Sequence, residues 1–346
     1  MNARAEAKKR ATLADVARLA GLSRTAASMI LTGKPDTRLS AEAHARVMAA
    51  ADQLGYRPNM AARSLRTERT QSFAFISDVV ATTRFAMGLI RGALEAAEKA
   101  QHVMLVLETG GEPARESEAI AAALDRQVDG IIFAAMRARE VFVPDMRLGT
   151  PVVMLNATNP RFPVSVLPDE AAGGKAAVEL LWAAGIRSGI GLLGQSDVAE
   201  AGLFRSETVS RRVAGIRSQM QKRRLSFVAE ESCWNWEPDE GYKLAKRMLK
   251  RGHGIRALLC MNDRLAFGAY QAAAELGISV PDEVAIVSFD NDEIAAYLRP
   301  GLTTIALPHE EMGRRSVNLL LEGGAKGEHL VPMPVIERGS VGKVKR

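Results

Sequence analysis

Apolar positions in the first 55 residues recur at helical spacing. Leu13, Val16, Ala17 and Ala20 fall at i, i+3, i+4 and i+7, which predicts one amphipathic face. Thr12 and Asp15 precede that face as a capping pair, the hydroxyl accepting from an early amide and the acid lying near the positive helix end. Gly21 supplies the left-handed stop. Ser23 opens a second helix with Ala26, Ala27, Ile30 and Leu31 on its inner face, ending before Gly33. Two short helices joined by a glycine turn predict a helix-turn-helix. Ser40 starts a third helix, whose Val47, Ala50, Ala51 and Leu54 are placed to cover the first two. After Gly55-Tyr56-Arg57-Pro58 comes a short helix-forming run over 59–65, too short to be stable alone in water, followed by a polar stretch at 66–70.

From Phe73 the pattern changes to short apolar runs alternating with helical stretches. Strands are predicted at 73–76, 103–107, 130–134, 152–155, 190–193, 257–260 and 284–289. Helices are predicted at 85–100, 113–126, 171–184, 206–222, 239–251 and 263–276. Strands that are apolar throughout and alternate with helices belong in parallel sheets covered on both faces. A run of this length exceeds one ordinary domain, so two α/β lobes are expected, with a ligand cleft at the carboxyl ends of the strands. The fold class is therefore α/β, with an all-α N-terminal head and hinge before a two-lobed core.

Composition narrows the class. The chain has 346 residues, 47% hydrophobic and 25% charged, which suits globular domains. No run of about 18 apolar residues occurs, so no membrane partner is expected. A charged N-terminus without an apolar segment argues against export, and two cysteines make neither a disulfide framework nor a four-cysteine zinc site. A reducing cytoplasm is the expected setting. Charge is unevenly spread: residues 1–70 hold 13 Lys and Arg against 6 Asp and Glu, while the remainder holds 33 against 34. A small basic segment on a near-neutral body reads as a nucleic-acid module carried by something else.

The search for catalytic motifs comes back empty. Gly189, Gly191 and Gly194 match G-x-G-x-x-G, but they lie in an apparent strand, whereas a dinucleotide phosphate must meet a helix N-terminus. Gly173-Gly174-Lys175 lacks the rest of a phosphate-binding loop, and His309-Glu310-Glu311 lacks a second histidine. No serine elbow is present. No catalytic residue, cofactor or metal is therefore assigned, and the chain is not read as an enzyme. The Asn156-Ala157-Thr158 sequon has no meaning without export.

An ordered set of motifs carries more weight. Thr12-Leu13-Ala14-Asp15-Val16-Ala17 is followed by Gly21-Leu22-Ser23-Arg24-Thr25-Ala26-Ala27-Ser28, and Leu54-Gly55-Tyr56-Arg57-Pro58-Asn59 by Ala61-Ala62-Arg63-Ser64-Leu65. Further along stand Val128-Asp129-Gly130-Ile131-Ile132, then Met261-Asn262-Asp263-Arg264-Leu265-Ala266-Phe267-Gly268-Ala269, and the stretches at 284–290 and 298–304. Together these resemble the LacI/GalR family of transcriptional regulators over nearly the whole chain.

The resemblance implies a homodimer whose heads read a near-palindromic DNA operator, and a core built like periplasmic binding proteins that holds a sugar-like effector. It divides the chain into a head at 1–57, a hinge helix and linker at 58–70 and an effector-binding core at 71–346. Lobe 1 would span about 71–167 and 300–332, and lobe 2 about 168–299 and 333–346. In the head it assigns Thr12, Ser23, Arg24, Thr25, Ser28, Met29 and Tyr56 to DNA. Arg24 suits a guanine edge and Thr25 a thymine methyl, whereas Ser23 and Ser28 suit phosphates. Met29 stands where the family often has a polar residue, so an apolar contact to thymine is expected there. In the hinge, Leu65 matches a leucine wedge that kinks the central base step, with Asn59, Ala61 and Ala62 lining the minor groove. In the core it assigns Arg212, Trp236, Asn262 and Asp290 to the effector, with Asp78, Phe85 and Met136 on the opposite wall. A solute-binding receptor would share such a core, but would leave 12–65 without a role.

Overall fold

The computed structural model describes residues 11–31, 39–57, 69–84, 86–143, 149–194, 206–250 and 254–342. The chain divides into two compact units, Met1–Thr70 and Gln71–Arg346.

The first unit is a bundle of three helices, α1 (Leu13–Ala20), α2 (Arg24–Leu31) and α3 (Ala41–Leu54). Both halves of the capping box form: Asp15 N–H donates to Thr12 Oγ1, and the Asp15 carboxylate accepts from the Thr12 amide at 3.0 Å. Gly21 and Gly55 close α1 and α3 in the left-handed conformation, at φ 66° and 58°. Val16, Ala17, Ala20, Ala27, Ile30, Val47, Ala50 and Ala51 form the buried core, with Tyr56 packed at its edge. Leu54, predicted to help cover the bundle, is exposed instead, at the last position of α3 before the chain turns away through Gly55.

The second unit contains two six-stranded sheets. The first runs β11-β5-β4-β3-β1-β2, using β1 (Ser72–Ser77), β2 (Val103–Glu108), β3 (Gly130–Glu140), β4 (Val152–Thr158), β5 (Ser165–Pro168) and β11 (Glu328–Val331). The second runs β12-β10-β9-β8-β6-β7, using β6 (Ile190–Leu193), β7 (Phe227–Glu231), β8 (Ala257–Cys260), β9 (Ala285–Asp290), β10 (Thr303–Ala306) and β12 (Val335–Ile336). All strand pairs are parallel except β10 with β12, the chain's last return. The helices are α4 (Met87–Lys99), α5 (Pro113–Asp125), α6 (Glu170–Ala183), α7 (Glu207–Lys222), α8 (Pro238–Lys250), α9 (Asp263–Glu275), α10 (Glu293–Tyr297) and α11 (His309–Glu322). Dipole-matched ends are clear in α8, with Asp239 and Glu240 in its first turn and Arg247 and Lys250 in its last.

One lobe boundary differs from the expectation that lobe 1 resumes at 300. Strand β10 pairs with β9 in the second sheet, so the return to lobe 1 falls after Ala306, where α11 packs on the β4 and β5 side. Thr303, Thr304 and Ile305 are buried against the second core, which gives that strand no reason to leave it. The chain thus crosses between lobes after Pro168, after Ala306 and again between Val331 and Val335.

Three helix pairs cross on reciprocal glycines. A Cβ at Gly174 on α6 would collide with the Arg212 carbonyl oxygen of α7, and one at Gly215 on α7 would collide with the Ala171 carbonyl oxygen of α6. Gly92 and Gly313 play the same part between α4 and α11, as do Gly241 and Gly268 between α8 and α9. The absent side chains let backbones touch, and close packing leaves nowhere for a methyl group to go. Replacing Gly215 with alanine is expected to force α6 and α7 apart, lowering stability by about 1–3 kcal/mol, measured as a reduced denaturation midpoint of the full chain.

Candidate functional site

Two sites are described, one in each unit. In the head, Ser23 caps α2 by accepting from the Ala26 amide at 3.1 Å. Arg24 and Thr25 follow in its exposed first turn, while Ala27 and Ile30 anchor the opposite face. Ser28 and Met29 are half-buried farther along the same helix. The hydroxyl of Thr12 is engaged with Asp15, and Tyr56 packs its ring on the bundle. The helix therefore offers a free N-terminal edge carrying a guanidinium and a hydroxyl on a rigid base. Asn59, Ala61, Ala62 and Leu65 lie outside the described residues.

In the second unit a cavity of about 650 Å3 opens between the lobes. Pro168 and Leu307, beside two of the crossovers, line it, so it sits at the lobe junction. Arg212, Trp236, Asn262, Asp290 and Met136 all line it, although they are separated by up to 154 positions in the chain. Asp78 does not. It is buried beneath the wall, where its carboxylate accepts from the Val79 and Met136 amides at 2.6 and 3.0 Å and pairs with Arg139 at 3.0 Å. Its expected place on the wall is corrected accordingly: it holds the backbone of Met136, and the amides that claim it turn it inward. Phe85 lies outside the described residues.

The floor is built around Arg212, which is fully buried on α7. Its Nε and Nη2 donate to Glu170 at 2.6 and 2.8 Å, and its Nη1 donates to the Met261 carbonyl at 2.6 Å. Its guanidinium carbon stands 4.2 Å from the centroid of the Phe289 ring. The α6–α7 glycine contact brings Glu170 and Arg212 to this distance. Glu170, at the first position of α6, lines the cavity and went unnoticed in the sequence, where it is one acid among the chain's 40 Asp and Glu.

Asn262 and Asp263 begin α9 with different duties. Asn262 accepts from the Leu265 amide at 2.8 Å as the helix cap and donates to the Trp236 carbonyl at 3.3 Å. Asp263 is wholly buried, accepting from the hydroxyls of Ser288 and Thr304 and from the Asp292 amide. It ties β9, β10 and the approach to α10 together. Burial pushes its carboxyl up to about 6 despite these hydrogen bonds. Trp236 donates Nε1–H to the Gly194 carbonyl at 2.8 Å, and the Arg137 guanidinium lies 5.9 Å from its ring centroid across the cleft.

Asp290 ends β9 with φ at 105° and is followed by Asn291 at 57°, two consecutive residues in the left-handed region. Arg212 Nη2 stands 3.8 Å from its carboxylate. Burial pushes its carboxyl up to about 8; the Arg212 charge pulls it down, while Asp263, Glu170 and Asp292 add to the rise.

On the first lobe, Asn156 supplies a second unforeseen support. It is buried at φ 50° and donates to the Ala135 and Met136 carbonyls at 3.0 and 3.1 Å. Ion pairs also join the lobes: Arg84 to Glu293 at 3.1 Å at the cavity rim, and Arg211 to both Glu328 oxygens at 2.8 Å. Both pairs are solvent-accessible, so they bias the lobe spacing only weakly. Among the described residues no group of three or more His, Cys, Asp or Glu could hold a metal ion. Fixed hydrogen-bonding groups around an open cavity are suited to binding.

Comparison with known proteins gives two family matches. Residues 12–59 match a model described as bacterial regulatory proteins, lacI family, and residues 178–341 match a periplasmic binding protein-like domain. The ribose operon repressor of Haemophilus influenzae is 28% identical over 323 residues, covering 90% of this chain and 91% of that one. The HTH-type transcriptional repressor PurR of Vibrio parahaemolyticus is 29% identical over 328 residues, covering 92% and 93%. Among solved structures, a lac repressor dimer bound to operator and an anti-inducer superposes with a TM-score of 0.74 at 25% identity, covering 96% of this chain and all of that one.

Two outcomes test the floor. Arg212→Ala strands the Glu170 carboxylate in a buried site and should cost about 3–5 kcal/mol, read by denaturant titration. For Asp290 the folded value lies above the unfolded value of 3.8, so the folded state holds the proton more tightly between that value and about 8. Stability should therefore fall as pH rises through this window, and Asp290→Asn should flatten the fall, measured as denaturation midpoints from pH 4.5 to 8.5.

Proposed function

Because the chain belongs to the lacI family of bacterial regulatory proteins, we propose that it is a repressor that binds a near-palindromic operator as a homodimer under the control of a small polar effector in the interlobe cleft. The observation that carries this reading is the pairing of an exposed Arg24–Thr25 turn on a capped three-helix head with a buried polar cleft in the core. It is not an enzyme, and it acts in the cytoplasm where the operator is. Among the described residues no helix is long and apolar enough to cross a membrane.

On DNA, Arg24 can give two hydrogen bonds to a guanine edge and Thr25 can touch a thymine methyl, with Met29 in apolar contact farther along. Ser23, Ser28, Thr12 and Tyr56 set register through the backbone. Leu65 enters the minor groove at the centre, flanked by Asn59, Ala61 and Ala62. Two heads are needed to read two half-sites, and the solved lac repressor relative is a dimer on its operator. Support for pairing in this chain comes from lobe 1. Met87 and Leu94 on α4 and Val103 and Val106 on β2, an edge strand of its sheet, are exposed apolar side chains. Such an edge invites coverage by a second copy.

The effector is a sugar or sugar derivative held by Arg212, Asp290, Asn262 and Trp236 below and by Met136 and Phe85 above, with Asp78 acting through Met136. The three crossovers between the lobes, two of them beside the cavity, allow the lobes to change their separation, and a ligand touching both lobes selects one spacing. An inducer favours the DNA-free arrangement and a corepressor the DNA-bound one. In either case DNA changes ligand affinity by the same factor as ligand changes DNA affinity.

Selection of bound fragments from genomic DNA, followed by footprinting at two salt concentrations with and without metabolites, tests the reading. A protected near-palindrome is expected. Arg24→Ala should cost about 1–3 kcal/mol and relax selection at one base pair per half-site. Leu65→Ala should weaken binding and remove sensitisation of the central step while leaving effector affinity intact. Absence of specific protection under all these conditions would overturn the repressor.

A further inference from the structure

The polar groups of the cleft are almost all spent on the protein itself. Arg212 gives three donors to Glu170 and Met261, Asn262 is a helix cap, and the Trp236 indole is bonded to Gly194. At the rim Arg84 is paired with Glu293, Arg264 with Glu237, and Arg137 lies over Trp236. Besides the Thr83 hydroxyl, which is buried without a bonded partner, Asp290 is an exception among the described lining residues. Its carboxylate lines the cavity and accepts no hydrogen bond from any described residue, although its side chain is only 9% exposed. The nearest cation among the described residues, Arg212, stands 3.8 Å away, and that nitrogen also bonds to Glu170.

Charge around Asp290 does not balance. The ionisable groups facing it are Arg212 from α7, Glu170 from α6, Asp263 from α9 and Asp292 ahead of α10. One buried guanidinium therefore serves three buried carboxylates, Glu170, Asp263 and Asp290. Asp263 is held by neutral donors, which satisfy its oxygens and add no positive charge. A buried carboxylate without a bonded partner is costly, and either a proton or an arriving cation can relieve it. A ligand hydroxyl can bond to the protonated carboxyl but brings no positive charge to stabilise the ionised one. A ligand carboxylate would add a further negative charge beside Glu170, Asp263 and Asp290.

We propose that Asp290, backed by Glu170, is the subsite for the protonated amine of a small hydroxyl-rich ligand, so that the effector is an amino-bearing polyol or amino sugar. This rests on the cleft being the effector site. Two consequences follow from the same geometry. Charge-assisted bonding makes the amine stronger than its hydroxyl counterpart. Near neutral pH the empty site holds a proton on Asp290, because burial places that group at about 8, and the ammonium displaces it to the buffer. Affinity should then rise with pH up to about that value, as long as the amine stays protonated.

The test is isothermal titration of the full chain with polyols in matched triads, beginning with glucamine, sorbitol and gluconate, which differ only in whether one end carries an ammonium, a hydroxyl or a carboxylate. Aldose triads of the same design follow. The expected result is an ammonium member at least about tenfold tighter than its hydroxyl twin, a gap of about 1.4 kcal/mol, with the carboxylate member weakest. Titrations at pH 7 in two buffers of different ionisation enthalpy should read release of most of one proton. Asp290→Asn should lower the ammonium member to the level of its hydroxyl twin and abolish the proton release. A hydroxyl or carboxylate member binding as tightly as the ammonium, or amine binding without proton release, overturns the ammonium subsite and leaves the cleft as an effector site. Failure of every charge class to bind overturns both.

Discussion

Arg212 is buried to within 2% of full exclusion, with its fork closed on Glu170 and its remaining bonded nitrogen on the Met261 carbonyl. A guanidinium cannot shed its charge in a protein, so whatever surrounds it has to supply negative charge and acceptors. Glu170 has to sit on a helix that approaches closely, and Met261 has to end its strand at the right height. The reciprocal glycines Gly174 and Gly215 are what let α6 come close enough to α7. The floor of the cleft, the crossing of two helices and the end of β8 are thus one arrangement, held by one buried ion pair.

The remaining carboxylates fall into two kinds. Asp263 is satisfied on both oxygens and works as a rivet between β9, β10 and the start of α10. Asp290 is left facing the cavity on a strained backbone, with its nearest cation shared. Strain and a buried carboxyl without a bonded donor on the same residue are features that collect at ligand sites. The contacts that bridge the lobes are of a different strength class. Arg84 with Glu293 and Arg211 with Glu328 are accessible to water, so a ligand in the cavity can outweigh them.

Much of this was legible in the chain. The capping pair at Thr12 and Asp15, the glycine stop at Gly21 and the inner face of Ala27 and Ile30 appear in the structure because they are local, each set by neighbours within a few residues. The apolar strands of both sheets were legible for the same reason, since burial on two faces leaves an unbroken apolar run, and β2 shows such a run although it stands at an edge. Strands β5, β7, β10, β11 and β12 were not, because their edges or short lengths carry Ser165-Val166-Leu167-Pro168, Phe227-Val228-Ala229-Glu230-Glu231, Thr303-Thr304 and Glu328-His329, which show no such run. Helix α11 hides its buried stripe among Glu310, Glu311, Arg314 and Arg315. The candidate site divides similarly: Arg212, Trp236, Asn262, Asp290 and Met136 share one cavity, while Asp78 was assigned to a wall it supports from behind.

The sequence by itself determined that a capped three-helix basic head precedes an α/β core of two lobes, because capping, periodicity and charge segregation are properties of neighbouring residues. Only the tertiary structure decided which lobe β10 joins, that Glu170 takes one edge of the arginine, and that Asp290 faces the cavity with no hydrogen bond from a described residue. Those outcomes depend on distances between residues separated by 42 and 78 positions in the chain, and a buried charge is satisfied by whatever the fold brings near it, which spacing along the chain does not record.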